Sequence, residues 1–355
     1  MAVLKVAVIG TGNISRNHMN AYRDNPNVEL YALCDIDKER ALDKANTYGV
    51  PAERVFDDKD EMLRALPEID IVSVTTWNSA HAECAIAALR AGKHVLVEKP
   101  MALNAAQAAE MQAVAEECGK LLMIGFVRRY ENYCKLLLEN VQSDFFGEIY
   151  YAKTTYLRRH GNPGGWFGDK SRSGGGPLID LGVHVIDYVR YLKGKPKATS
   201  VYGVTYQKLF DRPGIKDGKA YIADRDPERK IICDVEDLAS AIIRFEDGSS
   251  MTVEASFSLN GKPKGEIELF GTKAGAKIDG NIHLYSELNG HLIDIEYDGA
   301  KEYDFDTLFH KEIDHFVDCV QNGTPCIAPA EDGVELMRIL DGIYESASTG
   351  HEVML

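Results

Sequence analysis

The sequence predicts an α/β protein, with a doubly wound parallel sheet in its N-terminal part and an antiparallel sheet with helices on one face in its C-terminal part. Short apolar runs alternate with helical stretches up to about residue 125, which is the pattern of parallel strands joined by crossover helices. From Ala198 onward, longer β-type runs are joined by turn sequences such as Glu246–Ser249 and Asn289-Gly290, which are typical of hairpins. We therefore expect two domains, residues 1–125 and 126–355.

The individual elements follow from the spacing of apolar residues and from the residues that end each run. In the first domain, glycines such as Gly49 and Gly119 end the helices. The predicted strands there are Lys5–Ile9, Val28–Cys34, Ile69–Thr76, His94–Val97 and Leu121–Phe126, and the predicted helices are a stretch ending at Tyr22, then Lys38–Tyr48, His81–Arg90 and Asn104–Cys118. In the second domain we predict a helix at Tyr133–Asn140, a strand at Glu148–Arg158, a helix from Pro177 to Leu192, helices at Phe309–Gln321 and Asp332–Ser348, and a polar loop or insertion at 211–232.

Composition indicates an ordinary globular chain and limits its partners. Of the 355 residues, 45% are hydrophobic and 27% charged, and the formal net charge is -15. This acidity disfavours nucleic acid and anionic membranes, and no apolar stretch reaches the roughly 18 residues of a membrane span. The seven cysteines show no CxxC spacing, so we expect neither a disulfide framework nor a zinc site. We expect a cytoplasmic protein.

A glycine turn follows the first predicted strand. Gly10 permits a tight turn, Gly12 lets the backbone approach a pyrophosphate, and the helix beginning near Asn13 and Ile14 directs its N–H groups at that phosphate. Ser15 stands where the usual fingerprint has a third glycine. This position, after a strand and before a helix, favours dinucleotide binding in a Rossmann domain over a plain strand-to-helix turn.

Asp35 ends the second predicted strand, 25 positions after Gly10 (35 − 10). An acidic residue in this region binds the ribose hydroxyls of NAD and would repel the additional phosphate of NADP. No arginine follows immediately, since the next residues are Ile36, Asp37 and Lys38. The sequence therefore favours NAD as cofactor, and the alternative is that Asp35 caps the next helix.

Glu98 and Lys99 follow another parallel strand, at the edge where α/β sheets bind ligands. A lysine there could exchange a proton with an alcohol, and Glu98 could hold a ribose or orient the lysine. The alternative is an ordinary surface Glu–Lys pair before Pro100.

Asp180 and His184 lie four positions apart on a predicted helix, so they share one face. A carboxylate beside an imidazole can bind a polyol and move a proton, and Gly182 would leave that surface open to a ligand. The alternatives are a helix-capping Asp180, a buried structural His184, or two ligands of a metal. No third ligand stands at a metal-like spacing, so no metal is expected.

Further candidates surround these positions. Thr75 lies at the end of the predicted strand Ile69–Thr76, and Trp77, Asn78 and His81 follow it, where the nicotinamide side of the cofactor would pass. Trp77 would either stack on the cofactor or fill the core. In the second domain, polar and aromatic side chains suited to a sugar ring would face the ligand, although a basic run is also a normal solvated surface. These candidates are Arg128, Tyr156, Arg158 and Trp166.

With these residues the chain resembles the Gfo/Idh/MocA family of oxidoreductases. Three motifs carry the resemblance, and they span Gly10 to Ser15, Ala91 to Pro100 and Gly174 to His184. The resemblance implies a Rossmann domain followed by an α/β domain whose large open sheet forms a subunit interface, and hence a homodimer or homotetramer. It also implies that Lys99, Asp180 and His184 correspond to the residues that surround the reacting hydroxyl or ketone of sugars and inositols.

The stretch from Arg158 to Phe167 is similar to family branches that oxidise levoglucosan, scyllo-inositol and the C3 hydroxyl of glycosides. We therefore expect NAD-dependent oxidation of a ring hydroxyl, with C3 preferred and with His184 or Lys99 as the base. Three alternatives stay open: an NADPH-dependent ketosugar reductase, an NAD-dependent glycosidase of the same fold, and a non-enzymatic binding protein.

Overall fold

The computed structural model describes residues 3–209, 212, 215 and 232–355. The chain divides into two compact units, Met1–Val127 with Asp304–Met337, and Arg128–Tyr303 with Arg338–Leu355. Apart from residues 212, 215 and 232, the loop or insertion predicted at 211–232 lies outside the described residues.

The first unit contains a six-stranded parallel sheet, which confirms the doubly wound prediction. Its order, β3-β2-β1-β4-β5-β6, is the Rossmann order, in which the chain reverses direction across the sheet between β1 and β4. The third strand is only two residues long, which is why apolar periodicity did not reveal it. The strands are β1 (Leu4–Ile9), β2 (Val28–Cys34), β3 (Val55–Phe56), β4 (Ile71–Val74), β5 (His94–Glu98) and β6 (Leu122–Gly125).

Ten α-helices are found among the described residues. They are α1 (Ser15–Asp24), α2 (Lys38–Tyr48), α3 (Lys59–Ala65), α4 (Asn78–Arg90), α5 (Ala105–Cys118), α6 (Asn132–Gln142), α7 (Lys170–Ser173), α8 (Val183–Leu192), α9 (Phe305–Asn322) and α10 (Ala330–Thr349). The Asn104 side chain caps α5, and Gly49 and Gly119 end α2 and α5 in the left-handed conformation, as predicted for these two glycines. None of the described helices is both long and apolar enough to cross a membrane.

The second unit contains a nine-stranded sheet in the order β14-β13-β12-β11-β7-β10-β9-β8-β15. Its pairings are antiparallel except between β7 and β10, which run parallel, so the sheet is mixed. Both predicted hairpin turns are present, and Asn289 and Gly290 both have positive φ, as such a turn requires. The strands are β7 (Ile149–Leu157), β8 (Ala198–Tyr206), β9 (Leu238–Phe245), β10 (Ser250–Ser256), β11 (Lys264–Gly271), β12 (Gly275–Ile278), β13 (Ile282–Leu288), β14 (His291–Glu296) and β15 (Val353–Met354).

The division into units differs from the predicted boundary in one segment. Residues 304–337 lie in sequence between β14 and β15 of the second sheet but belong to the first unit, because α9 packs against α1. The rings of His18 and Phe309 lie 5.5 Å apart, and the Asn25 side chain donates a hydrogen bond of 2.7 Å to Asp314. The prediction followed chain order and could not show that the chain returns to the first unit.

Candidate active site

The predicted cofactor residues of the first unit come together at one edge of the parallel sheet. Ile9 of β1 pairs with Val74 of β4, and Val74 pairs with Val97 of β5, so these strands end level with one another. Gly10, Thr75 and Glu98 therefore lie side by side at the carboxyl edge, where α/β sheets bind their ligands.

The geometry of the glycine turn explains why glycine is needed at Gly10. Its φ is +91°, and a Cβ there would lie 2.8 Å from the backbone of Thr75 and Thr76. The Thr75 hydroxyl donates a hydrogen bond of 2.6 Å to the Gly10 carbonyl, which gives Thr75 a role in holding the turn. By contrast, a Cβ at Gly12 would meet nothing within 4 Å, so the backbone there is open to an approaching group.

The N-terminus of α1 suits an anion. No side chain caps this helix, and its first turn contains no acidic residue. Ser15, which replaces the third glycine of the fingerprint, is buried. Its hydroxyl donates a hydrogen bond of 2.6 Å to the Gly12 carbonyl, and this bond stabilises the turn. Asn13 and Ile14 lie in this turn, immediately before the helix. The segment therefore fits a dinucleotide pyrophosphate.

Asp35 is 5% exposed and is held from several sides. Its carboxylate accepts hydrogen bonds from the Thr11 amide (2.6 Å) and the Asp37 amide (2.9 Å), and forms an ion pair of 2.7 Å with Arg40. Burial raises the pKa of Asp35, but the hydrogen bonds from Arg40, Asp37 and Thr11 outweigh it, so the net pKa is below its ordinary value. The side chain that caps α2 is Asp37, so the alternative of Asp35 as helix cap is wrong.

Arg40 is a partner of Asp35 that the sequence prediction did not include. It lies five positions after Asp35, within the first turn of α2. A signal was available, because an arginine shortly after the acidic residue can reach back to it across the strand-to-helix turn. Its charge is neutralised by Asp35, so the ribose position keeps a carboxylate rather than a free cation.

Glu98 is 7% exposed, so the pair Glu98-Lys99 is not an ordinary surface pair. One Glu98 oxygen lies 2.8 Å from Nε2 of buried His18, and the other accepts the Lys99 amide at 3.2 Å. Nδ1 of His18 lies 3.3 Å from the Ser73 hydroxyl, which extends the network into the sheet. Glu98 thus fixes the backbone that carries Lys99, and Lys99 itself is partly exposed.

The residues after β4 differ in their surroundings. His81 is 1% exposed, and its ring nitrogens lie 2.8 Å from the Pro100 carbonyl and 3.2 Å from the Thr76 carbonyl. Burial lowers the pKa of His81. These contacts give His81 a role in holding the turn after Lys99. Trp77 precedes α4 and is half-buried, and Asn78 is the buried first residue of that helix.

In the second unit, Asp180 lies in a π-helical turn, Leu178–Gly182, that leads directly into α8. Such turns occur frequently at functional sites. From Gly175 to Arg190 every residue is buried except Asp180 and His184, which are partly exposed. This exposure disfavours the alternative of a buried structural His184. The Gly182 prediction was wrong: a Cβ there would lie 3.0 Å from Leu178 and 3.7 Å from Ala255, so this glycine serves packing rather than ligand access.

Aromatic residues adjoin this helix. Tyr156 and Phe167 pack against the buried cluster of Leu181, Ala255 and Phe257. Trp166 stacks on Phe167 with ring centroids 4.0 Å apart. Since Leu181 follows Asp180, the helix and these rings form one continuous group within the second unit.

The two predicted arginines are tied to neighbours. The Arg158 guanidinium lies 5.5 Å from the centre of the Tyr156 ring and donates to the Gly161 carbonyl at 3.2 Å. Arg128 forms a two-pronged ion pair with Glu131, at 2.6 and 3.2 Å, and its side chain stays 24% exposed.

A group of potential soft metal ligands lies on and after α9, although no metal is expected from the sequence. The ligand atoms of His315, Cys319 and Cys326 all lie within 4.8 Å of one another. However, Nε2 of His315 already accepts the Ile327 amide at 3.1 Å, so the imidazole holds the loop after α9. Burial raises the pKa of the Cys319 thiol to about 12, which favours its neutral form.

Comparison with known proteins places the chain in a family. Residues 4–126 match the model of the GFO_IDH_MocA oxidoreductase family, NAD-binding Rossmann fold, and residues 139–355 match the C-terminal alpha/beta domain of the same family. The chain is 35% identical to D-glucoside 3-dehydrogenase of Escherichia coli K12, covering 99% of this chain and 97% of that protein. It is 27% identical to myo-inositol 2-dehydrogenase of Thermotoga maritima, covering 93% and 92%.

A solved structure with bound NAD shares the fold. GenD2 from gentamicin A biosynthesis, in complex with NAD, is 25% identical with a TM-score of 0.81, covering 100% of this chain and 97% of that chain. The glycine turn, the uncapped α1 and the buried Asp35 fit the same dinucleotide. The chain therefore belongs to the Gfo/Idh/MocA family and is an NAD-dependent oxidoreductase.

Proposed function

We propose that this protein oxidises a ring hydroxyl of a sugar or glycoside, with the C3 hydroxyl of a D-glucoside as the preferred substrate group. The observation that carries the proposal is the exposure of Asp180 and His184 on a helix that is otherwise buried from Gly175 to Arg190. Burying a helix on nearly all sides while leaving a carboxylate and an imidazole accessible is what a hydroxyl-binding and proton-accepting site requires. The 35% identity to a D-glucoside 3-dehydrogenase over 99% of the chain supports the choice of substrate.

In the proposed mechanism, His184 accepts the proton of the substrate hydroxyl and Asp180 orients both the substrate and the imidazole. Lys99 assists by donating a hydrogen bond to the same oxygen, or takes the proton itself. That Lys99 acts on the same hydroxyl rests on the family resemblance. Glu98, held by His18, fixes the position of Lys99 through its amide. NAD, when bound, accepts the hydride from the oxidised carbon.

The proposed cofactor contacts follow from the edge of the parallel sheet. The backbone of Gly10, Gly12, Asn13 and Ile14 would hold the pyrophosphate, and Asp35 would bind the ribose. The other residues proposed to line the cofactor are Thr75, Trp77, Asn78, His81, Glu98, Lys99, Arg128 and Trp166. Thr75 and His81 would contribute chiefly by shaping the turns on either side.

On the substrate side, we propose that Tyr156, Arg128 and Arg158 contact the sugar together with Lys99, Asp180 and His184. Aromatic rings offer an apolar face to the C–H side of a pyranose, while guanidinium groups donate to its hydroxyls. The Tyr156 ring packs against the cluster that contains Leu181, the residue after Asp180, and this proximity supports the assignment.

We further propose a homodimer or homotetramer formed through the nine-stranded sheet, and a cytoplasmic location. Tyr202 of β8 and Ile242 of β9 are cross-strand partners, and their exposed fractions are 44% and 42%. Adjacent exposed apolar side chains of this kind are typical of interaction surfaces. Sedimentation at several protein concentrations tests the assembly.

The function is tested by following the absorbance of reduced nicotinamide with methyl glucosides, levoglucosan, glucose and inositols. A glucoside carrying deuterium at C3 should transfer the label to the nicotinamide, and its 3-deoxy analogue should give no turnover. His184→Asn should lower turnover by at least about a hundredfold, while the same substitution at exposed His351 should not change it. Release of a free aglycone from an aryl glucoside, or faster turnover of a 3-ketosugar with NADPH, would replace the proposal by a glycosidase or a reductase.

A further inference from the structure

A buried carboxylate occupies the start of the helical segment that carries Asp180 and His184. Glu236, which is 9% exposed, accepts the Gly176 amide at 2.9 Å with one oxygen and the Leu178 amide at 3.1 Å with the other. Pro177 between them has no N–H. The carboxylate therefore meets the amide donors on both sides of the proline at this helix start, where a negative charge is also favoured by the helix dipole.

The same carboxylate is tied to α10. The Tyr344 hydroxyl donates a hydrogen bond of 2.9 Å to Glu236, on the oxygen that also accepts Leu178. Burial raises the pKa of Tyr344 well above its ordinary value, so its hydroxyl keeps the proton that it donates. One carboxylate thus joins the helix start to a long helix that is distant in sequence.

The three-glycine run is fitted to these partners. Gly174 has a φ of +83° and ends α7. A Cβ at Gly175 would overlap the Tyr344 hydroxyl, and a Cβ at Gly176 would overlap the Glu236 carbonyl. The missing side chains at Gly175 and Gly176 therefore make room for Tyr344 and Glu236 of the same chain, not for a ligand.

We propose that Glu236, supported by Tyr344, is a positioning residue that fixes the first turn of this helical segment and thereby the direction in which Asp180 and His184 point. Asp180 comes two residues after Leu178. Asp180 and His184 are the two partly exposed residues between Gly175 and Arg190, so a shift of the helix start moves them directly. The inference rests on the proposed function only in giving Asp180 and His184 their chemistry. Glu236 touches neither substrate nor cofactor in this proposal.

The test compares Glu236→Gln, Tyr344→Phe and a control, Glu345→Gln, which makes the same change at an exposed neighbour on α10. The amides of Gly176 and Leu178 each use one carboxylate oxygen of Glu236, whereas a glutamine side chain has a single acceptor oxygen, so one of the two hydrogen bonds is lost. We expect kcat to fall about tenfold to a hundredfold in Glu236→Gln, because small misplacements of reacting groups cost that much, with the KM for NAD unchanged. Tyr344→Phe keeps both amide bonds and should lose only a few-fold in kcat, and the control should match the parent protein.

A readout independent of activity separates this inference from the proposed function. Hydrogen exchange at the amides of Gly176 and Leu178 should accelerate in Glu236→Gln, and the imidazole resonance of His184, identified by its loss in His184→Asn, should shift. If the parent protein oxidises no sugar, the proposed function fails while these two measurements still decide the positioning role. Unchanged exchange, an unshifted His184 resonance, or a kcat within twofold of the parent would overturn it. If Glu236→Gln does not fold, Tyr344→Phe decides. Its loss of the hydrogen bond to Glu236 should give a smaller shift of the His184 resonance, and an unshifted resonance would overturn the inference.

Discussion

Two glycine turns in this protein each lead into a helix, and they are used in opposite ways. The turn at Gly10 and Gly12 precedes α1, which has no side-chain cap and no acidic residue in its first turn. The turn from Gly174 to Gly176 precedes a helical segment whose first amides are bound by the buried carboxylate of Glu236. The first turn leaves its helix terminus open for a ligand, whereas the second closes its terminus with a side chain of the same chain.

Under the proposed function, the difference indicates which atoms of each motif act on a ligand. An open helix terminus binds an anion through backbone amides, so the side chains around it matter less than the absence of obstructing atoms. A closed terminus holds the helix in place, so the proposed function assigns the chemistry to side chains further along, Asp180 and His184. Substitutions of side chains and of glycines should therefore act differently in the two places.

The largest effect is expected at the side chains of the closed motif. His184→Ala should lower kcat by about 10² to 10⁴, the usual contribution of a general base, because the imidazole that accepts the proton is lost. NAD binding should persist, since the open motif is untouched. Steady-state kinetics and titration of NAD by fluorescence measure the two separately. A variant with full turnover would move the role of base to Lys99, which Lys99→Ala then tests.

The next effect is expected at the glycines of the open motif. Gly10→Ala places a Cβ 2.8 Å from the backbone of Thr75 and Thr76 at a φ of +91°, so both stability and NAD binding should fall. Strain and overpacking together cost about 3 kcal/mol, or roughly 10 °C in Tm for a domain of this size. Thermal melting with and without NAD measures the change.

Gly12→Ala is the matched control for this prediction. A Cβ there meets nothing within 4 Å, so Tm without NAD should not change, while the Kd for NAD should rise about tenfold or more because the methyl group stands where the phosphate approaches. If Gly12→Ala binds NAD like the parent protein, the terminus of α1 is not the pyrophosphate site.

A smaller effect is expected at the ribose position. Asp35→Asn removes the carboxylate that pairs with Arg40 and so leaves a guanidinium able to bind a phosphate. The ratio of kcat/KM for NAD over NADP should fall about tenfold to a hundredfold, which corresponds to about 1.4 to 2.7 kcal/mol. The double variant Asp35→Asn with Arg40→Ala should lose activity with NAD without gaining it with NADP. An unchanged ratio in the single variant would mean that Arg40 does not reach the cofactor.

The sequence was informative where a feature is local. The bounds predicted for the strand Val28–Cys34 and the helix Lys38–Tyr48 agree with the structure at both ends. A buried parallel strand is a continuous apolar run, and a glycine ends the helix. The glycine turn and Asp35 could be located for the same reason. Asp180 and His184 could be placed on one helical face, although the π-helical turn between them could not be foreseen from spacing.

What the sequence could not supply are the partners brought in from a distance. Glu98 is held by His18, 80 positions away, and the helix start at Leu178 is held by Glu236, 58 positions away. The assignment of α9 to the first unit is of the same kind, since it depends on packing against α1. Such contacts depend on how the chain folds back, which local periodicity does not encode. The two glycine turns therefore look alike in sequence and differ in the structure.

The smallest effect sharpens the comparison by contrasting two buried carboxylates. Glu236 is bound by three donors, whereas Glu312 on α9 is fully buried and neither of its oxygens has a hydrogen-bond partner among the described residues. Burial, and then the charge of Glu98, raise the pKa of Glu312 well above its ordinary value of 4.5. Above pH 4.5 the unfolded chain releases this proton while the folded protein keeps it, so Glu312 lowers stability progressively as the pH rises towards its folded pKa.

Glu312→Gln removes the titration while keeping the shape of the side chain. The variant should therefore melt at a higher temperature than the parent protein, by a few degrees at pH 8 and by less at pH 5. Thermal melting of both proteins at the two pH values measures the difference, with Glu345→Gln as the exposed control that should show none. A difference that is equal at pH 5 and pH 8 would mean that Glu312 ionises as readily in the folded protein as in the unfolded chain, and that a polar group meets it there. In that case the first unit would satisfy its buried carboxylate just as the second satisfies Glu236.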